Sequence, residues 1–281
     1  MSNTHGVLYV VATPIGNLAD FTHRAQAVLE KVQVIAAEDT RHSRHLLTHF
    51  GINTPLQALH EHNERQATET LLNRLQAGES VALISDAGTP LISDPGRLLI
   101  ETAHNARIQV VPIPGASALI SALSVAGLSA DKFVFAGFLP AKSNARQQQL
   151  QTLLSETRTL VFYEAPHRIV ECITDMVQCF GEQRVGTLCK ELTKLFETIY
   201  RDNLQGLLTW LTAEAERQKG EFVIVLQGAE PIDTQQLTAE TERTMRILLT
   251  ELPLKQAAKL ASEITGVSKN TLYAWGLAQR A

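Results

Sequence analysis

The sequence predicts an α/β fold, with two α/β domains in succession and a small helical module at the end. Three observations carry this. From the start, short β-branched runs alternate with segments of helical period, the pattern of α/β units on a mainly parallel sheet. The alternation resumes with different spacing from about residue 133, where two strand-like runs follow one another with no helix between. Beyond residue 236 only helical patterning remains.

Each element has its own signal. Residues 7–12 form an apolar run that reads as a first buried strand, and residues 21–31 a helix with Ala25, Val28, Leu29 and Val32 on one face. Residues 34–37 read as strand, 64–76 as an amphipathic surface helix, and 81–85 and 108–112 as strands. In the second half, 133–138 reads as strand, 142–149 as a helix start, 159–163 as strand and 169–177 as helix. Strands at 185–189 and 196–200 are adjacent and so imply an antiparallel pair, which makes this domain mixed. A helix over 204–218 and a strand over 222–226 complete it. Residues 230–236 are a Pro/Asp/Gln linker. Helices follow over 238–252, 254–264 and 269–278, with Gly266-Val267-Ser268 as the turn and Ser268 as an N-cap. Helix, short glycine turn, helix is a helix-turn-helix pattern. The expected domains are 1–120, 121–232 and 233–281.

Composition narrows the function. At 281 residues, 44% apolar and 19% charged, the chain is a globular folder. Its 25 basic and 29 acidic side chains give a formal charge of −4 and no global electrostatic case for nucleic acid. The tail differs. From residue 241 onward Arg243, Arg246, Lys255, Lys259, Lys269 and Arg280 stand against Glu242, Glu251 and Glu263, a local excess of three positive charges. A solvated packing bundle and a nucleic-acid contact are both consistent with that. The three cysteines, Cys172, Cys179 and Cys189, include no C-x-x-C pair and read as core thiols of a reducing compartment. No signal peptide or membrane span is expected, since the apolar run at 7–12 is short and residues 113–128 are interrupted by Pro114, Gly115 and serines. The chain therefore reads as cytoplasmic.

The usual cofactor fingerprints are missing: there is no G-x-G-x-x-G and no G-x-x-x-x-G-K-[ST]. In their place, three Pro/Gly loops each follow a strand. They are Thr13-Pro14-Ile15-Gly16-Asn17, Ser85-Asp86-Ala87-Gly88-Thr89-Pro90 through Ile92 to Asp94-Pro95-Gly96, and Pro112-Ile113-Pro114-Gly115-Ala116-Ser117. Ligands of open parallel sheets bind beyond the carboxyl ends of the strands, where such loops gather. Small residues let a ligand approach the backbone, and Pro holds each loop in one shape. Asp86, Thr89 and Asp94 add polar partners, and these loops contain no Lys or Arg until Arg97. A zwitterion with an apolar body suits these loops better than a polyphosphate.

These strings, together with Ala37-Glu38-Asp39-Thr40-Arg41, Gly137-Phe138-Leu139-Pro140, Phe162-Tyr163-Glu164, His167-Arg168, Lys190-Glu191-Leu192-Thr193-Lys194 and Gly220-Glu221, closely resemble the ribosomal RNA small subunit methyltransferase I family of the tetrapyrrole-methylase superfamily. The resemblance runs from about residue 7 to the helical tail; Ala165 stands where many relatives have Ser or Thr. It implies two α/β domains of tetrapyrrole-methylase type with the ligand cleft between them. It further implies S-adenosylmethionine-dependent 2′-O-methylation of a cytidine ribose in the decoding region of 16S rRNA, in the cytoplasm, by a homodimer; no residue is assigned to a metal.

By the same resemblance, Gly88-Thr89-Pro90 and Ile92 sit near the methionyl end of the donor, Ala116-Ser117 near its ribose or amino acid, and Phe162-Tyr163 near the adenine. Pro14, Gly16, Asp86, Ala87 and Glu221 complete the expected donor site. Two aromatics on a strand are also ordinary core residues. A ribose hydroxyl is a poor nucleophile, so a base or oriented acceptor is expected. Glu38, Asp39, Arg41 and Lys190 are the catalytic candidates: a carboxylate to take the proton, Arg41 to hold a phosphate, Lys190 as base or phosphate contact. The alternative is a helix start with Asp39 or Thr40 as N-cap, and Lys190 as a surface lysine. Arg41, Arg44, His167, Arg168, Lys190, Lys255, Lys259 and Lys269 are expected to meet RNA, although His167-Arg168 can equally cap a helix. His42, His45 and His49 at helical spacing, with His60 and His62, lack the accompanying Cys or fixed set that a zinc site needs. Two other readings compete, a methylase of the tetrapyrrole branch and a DNA-binding regulator. The last helix, with Lys269 and Arg280 at its ends, is poor in cations for a DNA reader.

Overall fold

The computed structural model describes residues 5–230 and 237–279; the greater part of the expected linker, 231–236, and Arg280 lie outside these. Within them the chain divides after Gly228 into two compact units.

The first unit opens with β1 (Val7–Val11), α1 (His23–Lys31), β2 (Val34–Ala37), α2 (Thr40–His49), β3 (Leu56–Ala58), α3 (Glu64–Gln76), β4 (Val81–Ile84), α4 (Arg97–Asn105) and β5 (Gln109–Ile113). The five strands make one parallel sheet in the order β3-β2-β4-β1-β5. Its central strands β2 and β4 are apolar and buried throughout because both faces are covered. Val11, Ile35, Ala37, Ala82 and Ile84 face α1 and α2, while Leu8, Val34, Ala36, Val81 and Leu83 face α3 and α4. Crossovers from the neighbours β1 and β4 thus leave for opposite faces. Such a switch point opens a crevice beyond the strand ends.

α5 (Ala118–Val125) leads to the second sheet. This contains β6 (Phe133–Phe138), β7 (Thr159–Glu164), β8 (Val185–Lys190), β9 (Thr198–Asn203) and β10 (Phe222–Leu226), interleaved with α6 (Ser143–Thr152), α7 (Ile169–Phe180) and α8 (Leu204–Ala213). The order is β6-β7-β10-β8-β9, parallel at β6-β7 and antiparallel elsewhere. One face carries Leu160, Phe162, Leu188 and Ile224 against α7 and α8. The other carries Val161, Cys189, Val223 and Val225 against α5 and Ile15 of the loop after β1. A buried Arg146 on α6 pairs with Asp175 of α7 at 2.6 Å and joins the two helices.

Most expected elements stand, and the differences have local causes. α4 and α5 are not among the expected helices, and α2 is foreshadowed only by the alternative of a helix start at Asp39 or Thr40, because each begins inside or beside a loop motif. β3 is three half-buried residues at a sheet edge, too short to show alternation. The strand expected at 196–200 begins at Thr198 instead. Glu197 accepts a hydrogen bond from the Thr193 amide and holds 193–197 in a turn that leaves Phe196 exposed. The helix expected over 204–218 ends at Ala213, where Glu214 turns extended before a 3₁₀ turn over Ala215–Gln218.

The second unit holds α9 (Ala239–Glu251), α10 (Leu254–Thr265) and α11 (Lys269–Ala278). Met245, Leu254, Ala258, Ala261, Val267 and Leu272 form its core. Gly266 ends α10 at φ 74°, where a side chain would be strained, and the Ser268 hydroxyl caps α11 by accepting from the Thr271 amide at 3.1 Å. No helix of the described residues is long and apolar enough to cross a membrane.

Candidate active-site cleft

The three Pro/Gly loops do converge. The loops after β1 and β4 are tied by paired backbone bonds between Thr13 and Gly88, at 2.9 and 3.1 Å. The Thr89 hydroxyl donates to the Ala116 carbonyl at 3.0 Å, joining the third loop to the second. Gly88 has φ 81°, and a Cβ there would lie 3.1 Å from Ile15, so a larger residue is both strained and crowded. Beside these loops lies a cleft of about 410 Å³.

One wall of the cleft is Ile15, Asp86, Ala87, Gly88, Thr89, Ile92, Ser93 and Asp94, with Ser117 and Ala118 beyond. The facing wall is Tyr163, Cys189 and Val223 of the second sheet with Leu192 from the turn after β8, closed at the strand ends by Phe138, Glu164 and Glu221. The Tyr163 hydroxyl accepts a hydrogen bond from the Leu119 amide at 3.1 Å, and its ring meets Phe135 and Phe138 edge-on. Cys189 is a buried thiol pushed up to about 12 by burial, hence an unreactive wall residue.

The charge in the cleft is acidic. Burial pushes Asp94 up to about 6, with Asp86 adding to the rise and a bond from Ser85 opposing it. Glu38, half-buried at the end of β2, is also raised, first by burial and then by Asp86, Asp94 and Glu61. Asp86 spends one oxygen on the Asp39 amide at 3.0 Å, which fixes the end of β2 to the second loop.

Of the residues expected to hold a donor, Asp86, Ala87, Gly88, Thr89, Ile92, Ser117, Tyr163 and Glu221 line the cleft. Others serve it from behind. Pro14 and Pro90 are buried, and Ala116 offers the carbonyl that Thr89 bonds. Gly16 makes room for the Lys194 side chain, whose ammonium bonds Glu191 at 2.9 Å and Glu221 at 2.8 Å. Phe162 is a correction: the pleat that turns Tyr163 into the cleft turns Phe162 into the helix-covered core, fully buried.

The catalytic candidates separate as well. Asp39 is the N-cap of α2, accepting from the Arg41 and His42 amides, and its carboxyl is held down by Arg41. The capping alternative is therefore the one realised, and a carboxylate so engaged is a poor base. Arg41 turns back onto Asp39 at 3.3 Å, with its side chain 90% exposed. Neither Glu38 nor Lys190 belongs to the cleft lining; Lys190 follows Cys189 and so points away from the face that Cys189 occupies.

Arg168 is a second correction. Its guanidinium pairs with buried Glu164 at 3.0 Å and donates to the Leu139 carbonyl, which leaves it inside the fold. His167 is exposed. Arg41 and Arg44 share an open groove on α2 with His45, Thr48 and His49. Lys255, Lys259 and Lys269 are exposed on the tail helices, Lys259 with Glu263 3.9 Å away. The reading of residues 64–76 as a plain surface helix misses Glu64, whose Oε1 accepts from the Gly96 and Leu98 amides, both at 3.1 Å, and anchors the end of the second loop. Ile15, Phe138, Leu192 and Val223 were also missed, because only pairing across two sheets brings them together.

Comparison with known proteins places these features. A model described as tetrapyrrole (corrin/porphyrin) methylases matches residues 7–208, and one described as the RsmI C-terminal HTH domain matches 235–280. A ribosomal RNA small subunit methyltransferase I of Escherichia coli O157:H7 is 52% identical over 278 residues, 99% of this chain and 97% of that protein. Its counterpart in Pseudomonas aeruginosa is 55% identical over 269 residues, 95% of each chain. Among solved structures, a uroporphyrin-III-C-methyltransferase from Thermus thermophilus superposes with TM-score 0.56 at 19% identity, covering 79% of this chain and 94% of that one. A diphthine synthase does so at TM-score 0.58 and 14% identity, over 79% and 90%. At such identities the likeness of the solved structures carries the fold alone.

Proposed function

The chain belongs to the ribosomal RNA small subunit methyltransferase I family of tetrapyrrole methylases, and from that premise we propose that it is an S-adenosylmethionine-dependent enzyme that 2′-O-methylates a cytidine ribose in the decoding region of 16S rRNA. The observation that carries the reading is identity of 52–55% across at least 95% of the chain, helical tail included. It favours an RNA substrate over a tetrapyrrole, because the tetrapyrrole-methylase structures share only the fold.

The cleft suits the donor chemically. A zwitterionic nucleoside carrying a cation needs apolar walls, an acidic side and close backbone, and Ile15, Ile92 and Leu192, Asp86, and Gly88 offer these. When bound, S-adenosylmethionine supplies an electrophilic methyl group on a positively charged sulfur. The protein's part is alignment, since in-line displacement at carbon gains most from fixed geometry. The paired loops and the Thr89–Ala116 bond hold that geometry before any ligand arrives.

RNA is met away from the cleft floor. Arg41 and Arg44 on α2, with His167, present donors for phosphate. Lys255, Lys259 and Lys269 give the tail its local positive charge on a chain of net charge −4. A homodimer acting in the cytoplasm would bring two such tails to one ribosomal particle, whose shape supplies the rest of the recognition.

The test is reaction of the protein with 30S particles and methyl-labelled donor, followed by mass mapping of the rRNA. A single 2′-O-methylcytidine in the decoding region is the expected product. Label on a base, on another region, or only on a tetrapyrrole would overturn the reading.

A further inference from the structure

A hydroxyl that becomes a methyl ether must lose its proton, and four carboxylates border the cleft to receive it: Asp86, Asp94, Glu164 and Glu221. Three hold other partners. Asp86 accepts the Asp39 amide, Glu164 is buried in its ion pair with Arg168, and Glu221 accepts from the Lys194 ammonium. Among the described residues Asp94 forms no ion pair and accepts no backbone amide; its one partner is the Ser85 hydroxyl, which can give way to a substrate hydroxyl.

The backbone that presents Asp94 is strained. Leu91 and Ser93 both have φ 76°, a left-handed conformation that side chains disfavour. Two such residues so close together persist only where the surroundings impose them, and they cluster where a side chain must be aimed. Here Pro90 and Pro95 bracket the segment, and Glu64 clamps its far end through the Gly96 and Leu98 amides.

On the reading that the acceptor is a ribose hydroxyl, we propose that Asp94 is the general base of this enzyme. An oxygen of its carboxylate takes the hydroxyl proton while a lone pair of the ribose oxygen forms the new bond to the methyl carbon. The carbon–sulfur bond breaks at the same time, its electron pair stays on sulfur, and a neutral thioether leaves. Asp94 then returns its proton to water. The titratable groups facing it are Asp86 on its own loop, Glu38 from the end of β2 and the Tyr163 phenol from β7, none of them a cation. With its carboxyl at about 6, Asp94 is ionised at neutral pH and still basic enough to draw a proton.

The experiment compares wild type, Asp94→Asn and Asp94→Glu in single-turnover methylation of 30S particles between pH 5 and 9. Calorimetric titration with S-adenosylmethionine and with its neutral thioether product runs beside it. A base at this position is worth roughly 100- to 10,000-fold in rate. The expected result is a loss of at least 100-fold in Asp94→Asn with both ligands bound as in wild type. The acid limb near pH 6 should vanish, then return with partial activity in Asp94→Glu. An Asp94→Asn rate within threefold of wild type overturns the proposal. So does selective weakening of the sulfonium ligand over the thioether, which would make Asp94 a seat for the donor's charge. Thioether binding by Asp94→Asn certifies that the variant is folded; should it not fold, the acid limb of wild type and Asp94→Glu decides alone, and its absence from both overturns the assignment. Wild type inert on 30S particles would instead sink the functional reading itself.

Discussion

If Asp94 is kept for chemistry without a cationic partner among the described residues, the folded protein should be less stable for carrying it, and that burden should depend on pH. Its carboxyl rises from an ordinary 3.8 to about 6 on folding, which corresponds to at most about 3 kcal/mol. Asp94 is only half-buried, so solvent screens part of this and about 1–2 kcal/mol remains. The sign follows from linkage. A raised folded pKa means that the folded state binds the proton more tightly, so the destabilisation is absent below pH 4, grows between pH 4 and 6, and is complete above. Asp94→Asn removes the charge and keeps the shape. Its melting temperature at pH 8 should therefore exceed that of wild type by about 2–8 °C, given about 2–4 °C per kcal/mol in a unit of this size. At pH 4 the two should melt together. Differential scanning calorimetry in matched buffers measures this directly. A pH-independent difference, or a variant less stable at pH 8, would refute the claim that burial and Asp86 set the state of Asp94.

Three further outcomes are expected. Gly88→Trp combines a left-handed backbone with an indole aimed at Ile15 and should weaken S-adenosylmethionine binding at least 100-fold by calorimetric titration; undiminished affinity would move the donor elsewhere. Asp175→Ala leaves the buried Arg146 guanidinium without its 2.6 Å partner and should lower stability by about 3–5 kcal/mol in urea titration. Burial raises the Asp175 carboxyl, but bonds from Gln147, Arg146 and Ser143 outweigh it and leave a lowered value. The wild-type advantage is thus present above about pH 4, the ordinary value, and is lost as pH falls below it through the lowered folded value. Reversing Lys255, Lys259 and Lys269 to Glu should weaken 30S binding and reduce its salt slope by about one per lost phosphate contact, while donor binding is unchanged. An unaltered slope in filter-binding assays would confine the tail to packing.

What could be read from the linear chain was whatever local chemistry dictates. Apolar runs marked every strand of both sheets except β3, since a strand buried on both faces must be apolar throughout and β3 is a short, half-buried edge. Pro and Gly spacing marked the three loops that meet at the cleft, because those residues constrain the backbone wherever they stand. Gly266 and Ser268 likewise announced the turn of the tail helices. Through-space partnership is different, and only the tertiary structure decided it. Phe162 and Tyr163 are equivalent as neighbours in sequence until a pleat sends one to the core and the other to the cleft. Asp39 and Asp94 are both carboxylates beside strand ends; folding engages the first in capping α2 and leaves the second, among the described residues, without a salt-bridge partner on a strained loop. Arg168 looked available for phosphate until Glu164, four residues before it, was buried against it. Which charges are neutralised is a matter of distance and desolvation, and neither is defined before distant segments meet.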